Sequence, residues 1–425
     1  MKNRVVVTGL GVCAPNALTV NALAKMLGSG GSGIRFHKEL KTLNFGCQIA
    51  GKPNFEEDYL NKYFTKLQLK GLNSNGLVYG VIAGMDAWHD ANFDQSFSDE
   101  PLWDSGIVFG TGILGVDKFR ESIYHVDAGQ VRRLGSTAVV QTMASGISAY
   151  LGGILGCGNQ VTTNSSACTT GTEALLLGYE RIRSKKATKM LVGSCSDSGP
   201  YVWGGFDAMR ILPRTYNDAP EHASRPMSAT AAGFVPGSGA GALVLESLES
   251  ALQRGARIYA EVLGGAINSG GHQNGGSMTA PNPMAVQRCI KKAMDDAEIE
   301  STAIDAINGH LTATTRDVLE IENWSSALQR SGTDFPYINS FKGHIGHCLA
   351  AAGSIECVGT VLQFSHYRIF GNVNCDDLHT EIPKVVDPAK IPRKTIEFSP
   401  KIIAKASFGF GDVNACVIFS NYTDD

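Results

Sequence analysis

The stretch from residue 344 to 366 restricts the fold of this chain more than any other. It places Ala350, Ala351, Ala352 and Gly353 beside Ile355, Val358, Val361 and Leu362, and Glu356 is its only acid. A helix that is apolar on nearly every side has no face to offer water, so it must be buried, and its small residues permit close packing against a neighbour. Such a helix needs a layer on each side, so a position between sheets is expected. The rest of the chain can supply those layers. Apolar, β-branched runs at residues 4–8, 106–109, 189–192, 240–245, 258–263, 304–307 and 415–419 alternate with helical patterns at 76–89, 172–183, 284–297, 318–330 and 344–366. This alternation predicts an α/β fold with mostly parallel strands.

At roughly 100–200 residues per domain, a chain of 425 residues has room for two or three units. No Pro/Ser-rich linker divides it. The softest boundary is the charged stretch 249–257, which predicts a first half over residues 1–252 and a second over 253–425. No sequence repeat of fixed period is visible. The 37 Lys+Arg against 40 Asp+Glu leave no basic excess, which argues against a nucleic-acid partner. No apolar run approaches the roughly 18 residues of a membrane span. Lys2 and Arg4 ahead of Val5-Val6-Val7 imitate a signal peptide, but Gly9, Gly11 and Pro15 interrupt the apolar stretch, so a strand followed by a turn is expected. Ten cysteines, none in a C-x-x-C pair, suit a reduced, cytoplasmic protein better than a disulfide scaffold.

Two glycine patterns and one histidine pattern carry less than they suggest. Gly9-Leu-Gly-Val-Cys-Ala14 and Gly110-Thr-Gly-Ile-Leu-Gly115 resemble dinucleotide fingerprints, yet neither is followed by an acid at the end of a second strand about 20 positions on. With 49 glycines in the chain, chance matches are expected. His344 and His347 share a helix spacing, but no third carboxylate ligand accompanies them, so no metal is expected.

Cys168 differs from the other nine cysteines. It lies in Asn164-Ser-Ser-Ala-Cys-Thr-Thr-Gly-Thr-Glu-Ala174, among small polar residues just before a helical run. A helix N-terminus favours a thiolate, and small neighbours let a substrate approach the sulfur. A nucleophilic cysteine usually works with histidine. His310 stands at a strand end in Asn308-Gly-His-Leu-Thr-Ala-Thr-Thr315, and His347 stands in Lys342-Gly-His-Ile-Gly-His347 at the mouth of the Ala-rich helix.

These residues carry a resemblance. Ser166-Ala-Cys-Thr-Thr-Gly171, Asn217-Asp-Ala-Pro with Ser224-Arg-Pro226, Gly233-Phe-Val-Pro-Gly-Ser-Gly-Ala-Gly241, Met278-Thr-Ala-Pro281, Asn308-Gly-His310, Lys342 with Gly346-His347, and Ser407-Phe-Gly-Phe-Gly411 with Asn414 follow one another in a known order. In this the chain resembles the β-ketoacyl-acyl-carrier-protein synthases, the elongating ketosynthases of fatty acid and polyketide synthesis. The resemblance implies a thiolase-like fold: two similar α/β halves stacked as an αβαβα sandwich with buried Ala-rich helices. It implies decarboxylative condensation of an acyl group, held as a thioester on Cys168, with malonyl-acyl carrier protein. His310 and His347 would complete a Cys-His-His set, and backbone N–H groups of Cys168 and Phe410 would form an oxyanion hole. Lys342 would be a charged member of the site paired with Glu320. Thr312 and Thr314 would hold the phosphopantetheine arm. Phe410, with Phe408 beside it, would gate an acyl pocket lined by Ile113 and Phe206. No cofactor or metal is implied, because loss of CO2 drives the step.

The same resemblance implies an acidic carrier protein as partner, met by a basic rim for which Lys66, Lys70, Arg210 and Arg214 are candidates. It also implies a homodimer, or a heterodimer with a ketosynthase-like subunit. Several positions depart from the family pattern. Leu311 replaces a glycine and Thr315 a proline, and Asp317 and Glu320 stand one residue closer to His310. Asp412 replaces a glycine, where an acid is expected to alter loop motion or repel an anionic substrate. A non-catalytic chain-length-factor type of partner subunit is the rival reading, and the presence of Cys168 with both histidines argues against it. A degradative thiolase would need a second catalytic cysteine in a glycine-rich turn, whereas Cys416 reads as a strand residue.

Overall fold

The seven apolar runs and three further segments, which become β3, β8 and β9, form ten strands of one sheet: β1 (Val5–Cys13), β2 (Ser105–Thr111), β3 (Val161–Thr162), β4 (Lys189–Ser196), β5 (Gly239–Ser247), β6 (Ala260–Ser269), β7 (Ala306–Asn308), β8 (Tyr337–Asn339), β9 (Ile402–Gly409) and β10 (Val413–Ser420). They belong to a computed structural model that describes residues 3–94 and 99–423; Lys2 lies outside the described residues. From the middle outwards, one half runs β1-β5-β4-β2-β3 and the other β6-β10-β9-β7-β8. The two orders are the same, each strand of the second half standing five places after its counterpart. The halves join where Val5, Val6 and Val7 of β1 pair with Val262, Glu261 and Ala260 of β6.

Pairing is mixed, which corrects the expectation of mostly parallel strands. Only β2 with β3 and β4, and β7 with β8 and β9, are parallel. The other five pairings are antiparallel: β9 and β10 form a tight hairpin, β1 and β6 each run against both neighbours, and β4 runs against β5. The first strand also runs further than expected. It continues through Gly9 and Gly11 to Cys13 because the helix α1 (Asn75–Asp90) lies directly on it. A Cβ at Gly9 would stand 2.2 Å from the carbonyl oxygen of Ala87, and one at Gly11 2.0 Å from that of Ala83. The Gly-x-Gly pattern here serves helix–strand approach.

Five layers result. Helix α1 covers one half of the sheet, and α3 (Pro283–Ala297), backed by α4 (Asp317–Leu328), covers the other. Between the halves lie α2 (Thr170–Arg183) and α5 (Ala352–Ser365), each touching strands of both. Thirteen of the fourteen residues of α5 are buried, as its composition demands. The two central helices cross at glycines: a Cβ on Gly171 would lie 2.3 Å from the Ser354 nitrogen, and one on Gly353 2.6 Å from the Thr172 nitrogen. This is the αβαβα arrangement expected.

The expected continuous helix over 344–366 is broken. A short turn at Lys342–Ile345 ends at Gly346, a 3-10 turn follows at Leu349–Ala351, and α5 begins only at Ala352. His347 thus sits in the break, where its backbone N–H donates to Val235 and its carbonyl accepts from Gly237. The charged stretch 249–257 contains a short helix, Leu248–Gln253, capped by the Ser247 hydroxyl. Among the described residues, no helix is long and apolar enough to cross a membrane.

Candidate active site

Four turns at one end of the central helices deliver the sequence-predicted residues. They precede α2 (Cys168), follow β7 (His310), interrupt the lead into α5 (His347) and connect β9 to β10 (Phe410). Each carries a non-glycine residue in the left-handed region: Ala167 at φ 50°, Ala313 at 64°, Leu349 at 51° and Asp412 at 59°. Such residues cost about 1–2 kcal/mol each and persist where surrounding bonds over-determine the backbone. Around Ala167 those bonds come from its small polar neighbours. The Thr170 hydroxyl donates to the Ala167 carbonyl (2.7 Å) and accepts from the Ser166 N–H (2.9 Å), while the Ser166 hydroxyl donates to Glu173.

The sulfur of Cys168 and ring nitrogens of His310 and His347 lie within 4.8 Å of one another. The imidazoles stand edge to face, with centroids 5.4 Å apart and planes at 84°. All three residues line a cavity of about 590 Å³, together with Ile113, Phe206, Thr312, Thr314, Phe408 and Phe410. Phe408 is buried against His310 with ring centroids 6.2 Å apart, and Phe206 packs on Phe410 at the same separation. The Thr312 and Thr314 hydroxyls are 3.2 Å apart on the cavity wall. The candidate rim residues Lys66, Lys70, Arg210 and Arg214 are all exposed, Arg214 donating to the Asp207 carbonyl.

The electrostatics qualify the expectation of a thiolate stabilised by a helix terminus. Burial pushes the Cys168 thiol up to about 11 and outweighs the N–H groups of Phe410 and Cys168 and the nearby Lys342, all of which pull it down. The resting group is therefore a thiol, and the two N–H groups that reach its sulfur belong to the pair expected to form an oxyanion hole. Desolvation, with help from Lys342 and Lys405, drives His310 and His347 well below the usual imidazole range, so both rings are neutral. The Leu349 N–H donates to Nδ1 of His347 at 3.1 Å, which leaves the proton on Nε2, free to be donated.

The expected pairing of Lys342 with Glu320 does not occur. Glu320 accepts the backbone N–H groups of His310 (2.6 Å) and Leu311 (2.7 Å), fixing the turn that carries the histidine. Its partner there is Asp317, which accepts from Thr312, Ala313 and Met227. The shortened loop thus brings both acids beneath the backbone, and Leu311 is fully buried in the apolar cluster it shares with α3 and α4. Lys342 pairs instead with Glu356, the lone acid of α5, and Lys405 of β9 pairs with the other oxygen of the same carboxylate. Glu356 announces itself in sequence as the only acid of an apolar helix; Lys405, in Ile402-Ile-Ala-Lys-Ala-Ser407, reads as an ordinary strand residue and was missed.

Asp412 likewise does not face the cavity. Its buried carboxylate accepts the N–H groups of Asn282 (2.8 Å) and His272 (3.1 Å), tying segment 270–282 to the β9–β10 turn. The cysteine and histidines are a donor set that a zinc ion could span. Two buried ammoniums against one carboxylate set a positive potential nearby, which opposes a dication.

Comparison with known proteins places the chain in a family. Residues 2–251 match the model of the β-ketoacyl synthase N-terminal domain, and residues 259–376 that of the C-terminal domain. The chain is 33% identical to the chloroplastic 3-oxoacyl-[acyl-carrier-protein] synthase I of Arabidopsis thaliana, over 99% of this chain and 87% of that protein. It is 31% identical to 3-oxoacyl-[acyl-carrier-protein] synthase 2 of Vibrio harveyi over the full length of both. Among solved structures, the ishigamide ketosynthase/chain length factor superposes with a TM-score of 0.87 at 27% identity, covering both chains entirely. A type II polyketide synthase ketosynthase, bound to its acyl-carrier protein and the hexaketide, superposes with a TM-score of 0.87 at 28% identity, over 99% of this chain and 100% of that one. With both domain models of one family matching most of its length and full-length relatives above 30% identity, this chain of thiolase-like fold belongs to the β-ketoacyl synthase family.

Proposed function

We propose that this protein catalyses decarboxylative Claisen condensation of an acyl group held on Cys168 with malonyl-acyl carrier protein, in fatty acid or polyketide synthesis. The carrying observation is the convergence of the Cys168 sulfur and two neutral imidazoles at the wall of a 590 Å³ cavity. Residues 1–252 contribute the nucleophile and residues 253–425 both histidines. In the first half-reaction the Cys168 sulfur attacks the acyl-carrier thioester, its proton passes to the departing carrier thiolate, and acyl-Cys168 forms. The N–H groups of Cys168 and Phe410 receive the oxyanion.

Malonyl carrier then loses CO2, and the electron pair of the broken C–C bond becomes a thioester enolate. Donors aimed at the enolate oxygen stabilise it. Nε2 of His347 is such a donor, since its Nδ1 is occupied by Leu349, and neutral His310 stands beside it. The enolate carbon attacks the acyl carbonyl and expels the Cys168 thiolate, which regains a proton from solvent. Thr312 and Thr314 hold the phosphopantetheine arm, and Ile113 and Phe206 bound the acyl chain. Lys342 acts through Glu356, and Glu320 through the His310 backbone.

The partner is an acyl carrier protein docking at the exposed Lys66, Lys70, Arg210 and Arg214. The assembly is a homodimer, with a ketosynthase-like heterodimer as the alternative. Ten cysteines without a disulfide fit a cytoplasmic setting. Intact-mass spectrometry of the protein with a panel of acyl carriers, followed by malonyl carrier, tests the reading against Cys168→Ala. An adduct on the unsubstituted protein alone, discharged as a product two carbons longer, is the expected result. Failure of every chain to load overturns it and favours the non-catalytic partner subunit.

A further inference from the structure

The Glu356 carboxylate is shared by two ammoniums, both fully removed from water. Lys342 Nζ meets Oε1, and Lys405 Nζ lies 2.8 Å from Oε2; all three side chains are at most 1% exposed. Lys342 already closes a buried ion pair with Glu356. The second lysine therefore cancels no remaining negative charge: it leaves the cluster with a net charge of plus one. An ammonium is retained in such a place only when its donors are satisfied. Those of Lys405 are, by Glu356, by the Ala406 carbonyl (2.6 Å) and by the Ser407 hydroxyl (3.0 Å). Ser407 in turn bonds the Thr172 hydroxyl at 2.9 Å. Lys405 thus ties together β9, which leads to Phe408 and Phe410, the helix α5, and the helix α2 that follows Cys168.

We propose that Lys405 is a positioning residue for the condensation, its ammonium supplying the surplus positive charge of the Lys342–Glu356–Lys405 cluster beneath the Cys168, His310 and His347 set. The proposal rests on the functional reading above. Every anionic species in that reaction, from the attacking sulfur to the enolate oxygen, forms above this cluster. A fixed positive charge in a poorly screened interior favours such anions and disfavours imidazolium. The groups facing the two imidazoles from the surrounding elements are Cys168, Lys342, Lys405 and each other, with Glu356 behind the lysines and Glu320 and Asp317 beneath the His310 turn. Both lysines act in the same direction on both rings; at the Cys168 thiol Lys342 pulls down and Glu356 pushes up, so Lys405 reaches the sulfur by offsetting Glu356.

The test measures the pH dependence of Cys168 alkylation by iodoacetamide on the full-length protein, followed by intact mass with Cys168→Ala as baseline. It needs no carrier, so it reads the charge even if no acyl chain loads; loss of condensation in the unsubstituted protein speaks only to the functional reading. Lys405→Met keeps the stem and removes the charge. Acting on the thiol through Glu356, it is expected to move the alkylation midpoint alkaline by about half a pH unit, roughly a threefold slowing at pH 7. Glu356→Gln is expected to move the midpoint the other way. The double variant, which restores a net charge of plus one through Lys342, is expected to return towards the unsubstituted profile. A merely structural lysine would leave the double variant at least as perturbed as the single. A Lys405→Met profile coincident with the unsubstituted one, in protein with an unchanged unfolding temperature, overturns the proposal. If Lys405→Met does not fold, the double variant is compared with Glu356→Gln alone: an alkaline displacement supports the proposal and coincidence overturns it.

Discussion

Replacing Asp412 by glycine sets two effects of opposite sign against each other. Asp412 holds a left-handed φ of 59°, and glycine would relieve roughly 1 kcal/mol of backbone strain. The same change removes the carboxylate that accepts the N–H groups of Asn282 and His272. Hydrogen bonds to a charged group contribute about 1.5–3 kcal/mol each. His272 is exposed and its N–H regains water, so its loss lies at the low end; Asn282 is buried at the cap of α3, where loss lies at the high end. The sum is about 4.5 kcal/mol lost against 1 gained, a net loosening of roughly 3.5 kcal/mol. Two backbone bonds, Gly270 N–H to Asp412 and Gly411 N–H to Met278, remain to hold the segment. The loosening is therefore local, confined to the segment that brings Thr279 and Pro281 to the cavity. At 1.4 kcal/mol per factor of ten, amide exchange at Asn282 is expected to speed up about 300-fold, while amides in α5 keep their protection. Asp412→Asn tolerates the left-handed backbone and retains one acceptor, so an intermediate acceleration is expected. Unchanged exchange at Asn282, together with a raised unfolding temperature, would show that strain relief dominates and that the carboxylate does not latch this segment.

Two further tests address the scaffold. Burial, opposed by the Leu311 and His310 N–H bonds, pushes the Glu320 carboxyl up to about 7. Its folded value thus exceeds its unfolded one near 4.3, so its contribution is fully present below about pH 4 and is lost as pH rises to 7, by roughly 3 kcal/mol. Unfolding temperature against pH should therefore fall across that window more steeply than in Glu320→Gln, and parallel curves would remove the argument. Gly171→Ala should destabilise by about 3 kcal/mol or more in urea unfolding, because its Cβ would meet the rigid Ser354 nitrogen at 2.3 Å. Gly153→Ala, whose Cβ meets nothing within 4 Å, should be neutral or mildly stabilising. Equal tolerance of both would mean that the central helices do not depend on their glycine crossing.

Features that depend on local pattern are legible in the amino-acid order. The apolar, small-residue composition of the segment before His366 demanded burial between layers, and α5 is buried on every side. The small polar setting of Cys168 marked the nucleophile turn, and the order of short motifs named the family. Pairings between residues distant in the chain emerge only on folding. A lysine at 405 finds a carboxylate at 356 because β9 packs on α5, and an acid at 412 turns away from the cavity because segment 270–282 offers it N–H donors. The helix expected through His347 breaks because Gly346 leaves helical geometry at φ 73° and ψ −173°, and the His347 backbone bonds outward to Val235 and Gly237. Such pairings are invisible to periodicity, since a buried charge looks the same in sequence whichever opposite charge the fold brings to it. The likeness of the two halves was legible only through the family resemblance and not as a sequence repeat, because topology is kept by hydrogen bonding and layer packing, which many different side chains satisfy.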